Sequence, residues 1–246
     1  MPRRAPKDPI VHPVVWVTGA SRGIGREIAR TFATIGAHVC LSARDGASLR
    51  RLVREIAAYG GRAYAFPSDF GSRTSIERTA RHIRRAVGPV DVLVNNAGIT
   101  VFKSFLSTSE REFADIVTTN LLGPVYAIKS VLPSMVKRKS GWIINTLSTA
   151  SRLTFEGSSA YTASKAGLHG LSKVLREELR KSRVRVVDVL PGPTSTAMWS
   201  AADRRRHGAR MMSPASIGEI VLALYQFPPD AVPEEVFLRP MDGDLS

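Results

Sequence analysis

Cysteine is nearly absent from this 246-residue chain; with Cys40 alone, neither an internal disulfide framework nor a thiolate metal cluster can form. Cys40 sits in the apolar stretch Val39-Cys40-Leu41, where a buried structural thiol is expected. The five histidines, at 12, 38, 82, 169 and 207, never fall at metal-ligand spacing, so no metal site is expected. No apolar run approaches the roughly 18–20 residues of a membrane span. The basic segment Pro2-Arg3-Arg4-Ala5-Pro6-Lys7 is not followed by the apolar region of a secretion signal. The expectation is a flexible basic arm over residues 1–12, no membrane partner and a cytoplasmic location. Linkers rich in Pro, Gly or Ser are missing, as are repeats at solenoid spacing, which leaves one domain over 13–246. Acidic residues are also scarce, with 21 Asp and Glu against 35 Lys and Arg, 27 of them Arg, for a formal charge of +14. That balance suits nucleic acid, an anionic membrane, an acidic small molecule or simply a basic soluble enzyme. Charge alone does not choose among them.

What is present is a regular alternation. Hydrophobic residues make up 43% and charged residues 23%, which excludes a wholly disordered chain. Short apolar runs at Val14 to Thr18, His38 to Ala43, Arg62 to Phe66, Val90 to Asn95, Trp142 to Leu147, Val184 to Leu190 and Glu235 to Leu238 read as strands. Between them lie helical stretches at Ile24 to Ile35, Gly46 to Tyr59, Thr74 to Val87, Glu110 to Lys137 and Ser159 to Lys181. Buried-looking strands separated by amphipathic helices predict βαβ units, hence a single doubly wound α/β domain with a parallel sheet and helices on both faces. One stretch breaks the rhythm: residues 194–214 show no clear strand pattern and follow the sixth strand. Ligands of open α/β sheets bind outside the carboxyl ends of the strands, so this stretch is a candidate substrate lid.

Several segments carry chemistry. The first strand runs into Thr18-Gly19-Ala20-Ser21-Arg22-Gly23-Ile24-Gly25 and then a helix. Gly19 permits a tight turn, while Gly23 and Gly25 let backbone approach a phosphate and helix pack on strand. The helix N-terminus offers free N–H groups and partial positive charge to a pyrophosphate. Asn95-Asn96-Ala97-Gly98 ends the fourth strand; residue chemistry alone allows either a turn held by Asn side chains or a ligand contact. Tyr161 and Lys165 lie four apart in a helical pattern and so share a face. A phenol with an ordinary pKa of about 10 exchanges protons poorly at neutral pH. An ammonium one turn away favours the tyrosinate, and Ser148 could hold a carbonyl oxygen beside it. A Tyr and Lys at this spacing also occur on solvated helix faces.

The order of these motifs decides. Thr18-Gly19-x-x-x-Gly23-Ile24-Gly25, Asn95-Asn96-Ala97-Gly98, Asn120, Ser148, Tyr161-x-x-x-Lys165 and Pro191-Gly192 follow one another along one α/β chain. From about Val14 to Met198 the sequence resembles the short-chain dehydrogenase/reductase family. The resemblance implies a Rossmann-type fold and an oxidoreductase that exchanges a hydride between a nicotinamide dinucleotide and a carbonyl or secondary alcohol. It implies Tyr161 as general acid or base, Lys165 lowering the Tyr pKa and bonding the nicotinamide ribose, Ser148 holding the substrate oxygen, and Asn120 supporting a proton path. It also implies cofactor contacts from Gly19, Ser21, Arg22, Gly23, Ile24, Arg44, Asn95, Ala97 and Gly98. Asp69 would meet the adenine, and Pro191, Gly192, Thr194 and Thr196 the carboxamide end. Family members are commonly homodimers or homotetramers.

Cofactor choice is legible physically. Forms using NAD carry an acidic side chain at the end of the second strand. Here Ala43 stands at that place, followed by Arg44, and Arg22 adds a second guanidinium. Two guanidiniums suit a 2′-phosphate, so NADP(H) is expected, with Asp45 read as the cap of the next helix. For substrate, Arg204, Arg205 and Arg206 make the lid either a solvated loop or a reader of anions. A 3-oxoacyl thioester on a carrier is one alternative: the resemblance implies Arg138 or Lys139 and Arg176 in places similar to the basic surface residues that acyl-carrier-protein reductases of the family use. The ending Val236-Phe237-Leu238-Arg239-Pro240 lacks the Gly-rich form of typical oxoacyl reductases and lowers it. A dinucleotide-sensing binding protein is a second alternative, disfavoured by the intact proton-transfer set. No helix-turn-helix, zinc finger or RNA-binding aromatic motif is evident, so no nucleic-acid partner is expected.

Overall fold

Residues whose neighbours are apolar on both sides can only be satisfied in a sheet covered on both faces, and the computed structural model of residues 12–243 shows such a sheet. The strands are β1 (Val14–Thr18), β2 (His38–Ser42), β3 (Arg62–Ala65), β4 (Val92–Asn95), β5 (Gly141–Thr146), β6 (Val184–Pro191) and β7 (Glu235–Leu238). They pair in the order β3-β2-β1-β4-β5-β6-β7, every pair parallel. The order reverses between β1 and β4, the switch point where ligands of such sheets bind. The expected doubly wound, Rossmann-type α/β fold is therefore what the chain adopts. The expected N-terminal arm falls almost entirely on residues 1–11, outside the described residues.

Alternation along each strand divides the core in two. Val15, Val17, Val39, Leu41, Val92 and Val94 face one side, where α1 (Gly23–Thr34), α2 (Gly46–Ala58) and α8 (Pro214–Tyr225) pack through Phe32, Leu49, Leu52 and Val221. Val14, Trp16, Cys40, Leu93 and Ile143 face the other. There α3 (Arg73–Ala86) and α5 (Gly123–Arg138) contribute Ile76, Ile83, Val131 and Met135. Cys40 is buried among them, and burial pushes its thiol far up, so it is inert as a nucleophile. No helix among the described residues is long and apolar enough to cross a membrane.

Two segments depart from expectation. The stretch read as one helix over Glu110 to Lys137 is α4 (Glu110–Val117), a π-helical turn over Thr118–Leu122, and α5. The irregular stretch 194–214 contains α7 (Ala201–His207) and is tied at both ends, since Ser195 N donates to Met212 O at 2.9 Å and Met212 N to Pro193 O at 2.9 Å.

A charged cluster lies inside the fold. Arg176, on α6 (Ser159–Leu179), places Nη2 2.5 Å from Asp188 Oδ2 and Nη1 3.1 Å from Glu235 Oε1. Ser172 Oγ and Asn145 Nδ2 donate to Asp188 Oδ1 at 2.8 and 3.1 Å. His169 Nε2 lies 2.8 Å from Glu235 Oε1, and Arg152 pairs with the other oxygen of Glu235. Although His169, Asp188 and Glu235 converge, the guanidinium fills the space between the carboxylates and makes this an ion-pair network. Burial, with Lys173, Arg152 and Arg176 nearby, brings His169 down to about 4 and keeps it neutral.

The expectation that Arg176 is a surface docking cation is thereby corrected; it is buried, held by Asp188 and Glu235. Arg138 is corrected too. It bonds Asp91 Oδ1 at 2.5 Å and the Val90 carbonyl at 2.7 Å, at the amino end of β4, away from the ligand edge. Lys139 caps α5 at that same end in a left-handed conformation, φ 50°.

Candidate active site

The turn after β1 is shaped by its glycines. Gly19 sits at φ +68°, and a Cβ there would lie 2.8 Å from the Ala97 Cα, so no larger residue fits. Arg22 is the N-cap of α1 and supplies no side-chain cap, and the first turn carries no acidic residue. The first N–H groups of α1 therefore remain open to an anion. This turn is clamped to the end of β4: Thr18 Oγ1 donates to Val94 O at 3.1 Å and accepts from Asn96 N and Ala97 N, each at 2.9 Å. Asn96 Nδ2 donates back to Thr18 O at 3.0 Å. Sequence reasoning did not assign Thr18 and Asn96 a place in the site. Of the two readings of Asn95-Asn96, the turn-holding one describes Asn96.

Asn95 itself departs from expectation. Its side chain is buried in the sheet, donating to Asn145 Oδ1 at 2.9 Å, and does not line the cavity that its neighbours Asn96, Ala97 and Gly98 line. Strand alternation turns adjacent side chains to opposite faces, and Asn95 is the one turned inward.

The proton-transfer candidates meet at the carboxyl end of β5. Ser148 caps the short 3-10 turn Thr149–Ser151 and accepts from Ala150 N at 3.1 Å. Tyr161 and Lys165 occupy successive turns of α6, both buried, at 8% and 5% exposure. The Ser148 and Tyr161 side chains line the same cavity. Burial raises the Tyr161 pKa, and the Ser148 hydroxyl opposes that rise. Lys165 Nζ donates to the Thr146 carbonyl at 2.7 Å and lies 5.7 Å from the Tyr161 ring centroid. Burial lowers Lys165 to about 8. In this geometry the ammonium thus lies over the Tyr161 ring, and burial governs the phenol. Asn120, in the π turn, is fully engaged: Oδ1 accepts from Ile99 N at 2.9 Å, while Nδ2 donates to Ile99 O at 2.9 Å and Ser164 Oγ at 3.1 Å. It pins the loop after β4 against α6. The wide turn is what places a side chain there, because it pushes one residue out of the helical register.

One cavity of about 1220 Å³ joins these parts. It is lined by Gly19, Ser21, Arg22, Gly23 and Ile24 from the turn, by Ala43 and Arg44 after β2, and by Asp69 after β3. Ala97, Gly98, Ser148, Tyr161 and Lys165 line it, as do Pro191, Gly192, Thr194 and Thr196. Thr194 Oγ1 donates to Gly192 O at 3.0 Å, and Asp69 Oδ1 accepts from Gly71 N at 3.0 Å, so both loops are braced. Asp45 is committed to α2: its carboxylate accepts from Ala47 N at 3.0 Å, Ser48 N at 3.1 Å and Ser48 Oγ at 2.5 Å. Those bonds hold its carboxyl below the usual range. From the 194–214 stretch, Met198 and Trp199 reach the cavity, and Arg204, Arg205 and Arg206 are not part of its lining.

The model of the family described as short chain dehydrogenase matches residues 13–207. A sepiapterin reductase of Chlorobaculum tepidum is 35% identical over 239 residues, 94% of this chain and 98% of the relative. A metagenomic short-chain oxidoreductase, solved in complex with NADP, is 37% identical with a TM-score of 0.83, covering 94% of this chain and 98% of that one. An alcohol dehydrogenase of Thermococcus sibiricus, complexed with 5-hydroxy-NADP, is 28% identical with a TM-score of 0.86, covering 95% and 99%.

Proposed function

Because the chain belongs to the short chain dehydrogenase family, we propose that it is an NADP(H)-dependent oxidoreductase interconverting a small-molecule carbonyl and its secondary alcohol. The observation that carries this reading is the meeting of Ser148, Tyr161 and Lys165 in one cavity with an anion-ready helix terminus. A binding protein that only senses the dinucleotide has no use for a phenol set with a serine beside a buried ammonium.

The donor set fits a phosphorylated dinucleotide. The turn Gly19 to Ile24 and the open N-terminus of α1 suit a pyrophosphate. Arg22 and Arg44, both exposed at the cavity edge, suit a 2′-phosphate. Asp45, the carboxylate that follows Arg44, is taken up by its cap. Asp69 would meet the adenine, and Pro191, Gly192, Thr194 and Thr196 the carboxamide. A bound nicotinamide supplies or takes up the hydride.

The chain's residues then handle the oxygen. Ser148 Oγ holds the carbonyl oxygen, and Tyr161 gives it a proton in reduction and takes one back in oxidation. With its pKa raised by burial, Tyr161 carries that proton at neutral pH, which favours reduction. Lys165 keeps positive charge beside the phenol and would bond the nicotinamide ribose, and Asn120, braced between Ile99 and Ser164, would support a water-linked proton path from Lys165. Residues 194–214 act as the substrate lid. The reading extends to a homodimer or homotetramer packed through the α4–α5 ridge and α6, and to a cytoplasmic setting that keeps Cys40 reduced. A monomeric mass by light scattering at micromolar concentration would count against the oligomer.

The test is Tyr161→Phe assayed with NADPH and a panel of carbonyls beside the intact enzyme. Turnover should drop by about 10²–10⁴-fold, the usual worth of a positioned acid, with the Kd for NADPH unchanged. Retained turnover would sink the assignment. A higher kcat/KM with NADH than NADPH would sink the choice of cofactor.

A further inference from the structure

The end of the cavity beyond the proton-transfer residues has a chemistry of its own. Trp199 and Phe102 stack with centroids 6.0 Å apart at 24°, and Phe102 meets the Tyr161 ring at 6.4 Å and 60°. These three rings form a row that ends at the Tyr161 ring. Phe155 and Met198 line the same end and stay open, at 44% and 43% exposure, and Phe102 at 52%. Apolar side chains this exposed around a cavity mouth mark a surface made to be covered by a ligand.

Charge points the same way. The lining arginines, Arg22, Arg26, Arg44 and Arg51, belong to α1 and its turn and to the region after β2. Beside Phe155 the lining residue is Glu156, a carboxylate. Lys103, next to Phe102 in the chain, is matched by Glu112 at 2.5 Å, and Arg152 by Glu235. The Lys165 ammonium is buried and turned to the Thr146 carbonyl at 2.7 Å, so an anionic group at the open mouth would meet the Glu156 carboxylate first. A flat, uncharged ring would find aromatic faces to lie against.

We propose that the substrate is an uncharged ketone or aldehyde bearing an aryl group, which lies along the Trp199–Phe102 row with its carbonyl at Ser148 and Tyr161. This rests on the oxidoreductase reading above, and narrows it away from carrier-bound anionic thioesters.

The test compares acetophenone with cyclohexyl methyl ketone, which share carbonyl and carbon count, and with para-acetylbenzoate, which adds a carboxylate. Kd values are measured by titration calorimetry with the NADP-loaded protein, so the readout does not depend on turnover. Acetophenone should bind roughly 2- to 10-fold more tightly than the cyclohexyl ketone, the range of an aromatic pair. The carboxylate should weaken binding, and Glu156→Gln should restore it. Phe102→Leu and Trp199→Leu should each erase the phenyl preference, weakening acetophenone more than the cyclohexyl ketone, with NADPH binding retained; that retained binding certifies the fold. Equal or tighter binding of the cyclohexyl ketone, tighter binding of para-acetylbenzoate, or an equal loss for both neutral ketones in the leucine variants would overturn the proposal. Failure of the parent reading looks different: Tyr161→Phe would keep its turnover, whatever the ketones' order of affinity.

Discussion

Replacing Arg176 with Leu tests the buried network that ties the helix of Tyr161 to the sheet edge. The Arg176 side chain is 6% exposed and that of Asp188 is 0%, so water cannot take the place of the guanidinium. Leucine keeps the hydrocarbon stem and removes four bonds: to Asp188, to Glu235, to the Val186 carbonyl at 3.1 Å and to the Glu234 carbonyl at 2.6 Å. Breaking a buried pair from one side costs about 3–5 kcal/mol, since the other charge stays buried. Asp188 keeps Ser172 and Asn145, and Glu235 keeps His169 and Arg152, which places the loss near about 3 kcal/mol. At about 2–4 °C per kcal/mol for a chain of this size, Tm should fall by about 6–12 °C in circular dichroism melts at pH 7. The loss should also depend on pH. Burial already raises the Asp188 pKa, opposed by Arg176, and the variant raises it further. A carboxyl whose folded pKa exceeds its unfolded value binds protons more tightly when folded. The variant should therefore recover stability as pH falls from the folded pKa toward the unfolded value of about 4. Arg176→Leu with Asp188→Leu should be more stable at pH 7 than Arg176→Leu alone. A Tm shift below about 2 °C, or a gap to the intact protein that stays constant with pH, would refute the reasoning. So would an effect confined to the KM of a carrier-bound substrate, the result a surface docking cation would give.

Other outcomes follow from single residues. Arg22→Ala and Arg44→Ala should each raise the Kd for NADPH roughly tenfold, as for a lost bond to a charged group, and leave that for NADH unchanged, read by cofactor titration. Asp45→Ala should lower the Tm through its lost cap, without shifting the preference between NADPH and NADH. Lys165 at about 8 should lose its charge as pH rises through that value, so the kcat/KM for reduction should fall above it; in Lys165→Arg, which stays charged, any residual activity should show no such fall.

The strands were legible because both faces of this sheet are covered, so most read as short, largely apolar runs; the bounds of β1 and β7 match the sequence expectation residue for residue. The π turn at Thr118–Leu122 was not, because one residue added to a turn barely disturbs the apolar period. The helix α8 escaped for the opposite reason: Ile220-Val221-Leu222-Ala223-Leu224 is apolar all round and offers no amphipathic stripe. Among site residues, the order of motifs picked out residues that line the cavity, Asn95 and Asn120 excepted. It could not say that Arg176 is buried, since that follows from Glu235, 59 residues away in the chain.

The surplus of arginine also takes on a direction. Many guanidiniums are spent locally, Arg26 on Glu55, Arg73 on Glu77, Arg138 on Asp91 and Arg180 on Glu177. Exposed pairs of this kind contribute about 0–1 kcal/mol each, so they do not explain why the chain is basic. What matters for chemistry is where cations stay clear of carboxylates inside the cavity. At the β2 end Asp45 is tied to its cap, leaving Arg22 and Arg44 to face a phosphate. At the Tyr161 end Lys103 and Arg152 are matched, Lys165 is buried against the Thr146 carbonyl, and Glu156 stands on the wall. The guanidiniums of the cavity wall thus gather at the β2 end, where they pull on a phosphate. A neutral carbonyl compound feels no such pull and settles by contact with the rings. A field of this kind sorts two ligands into their places before either is read in detail.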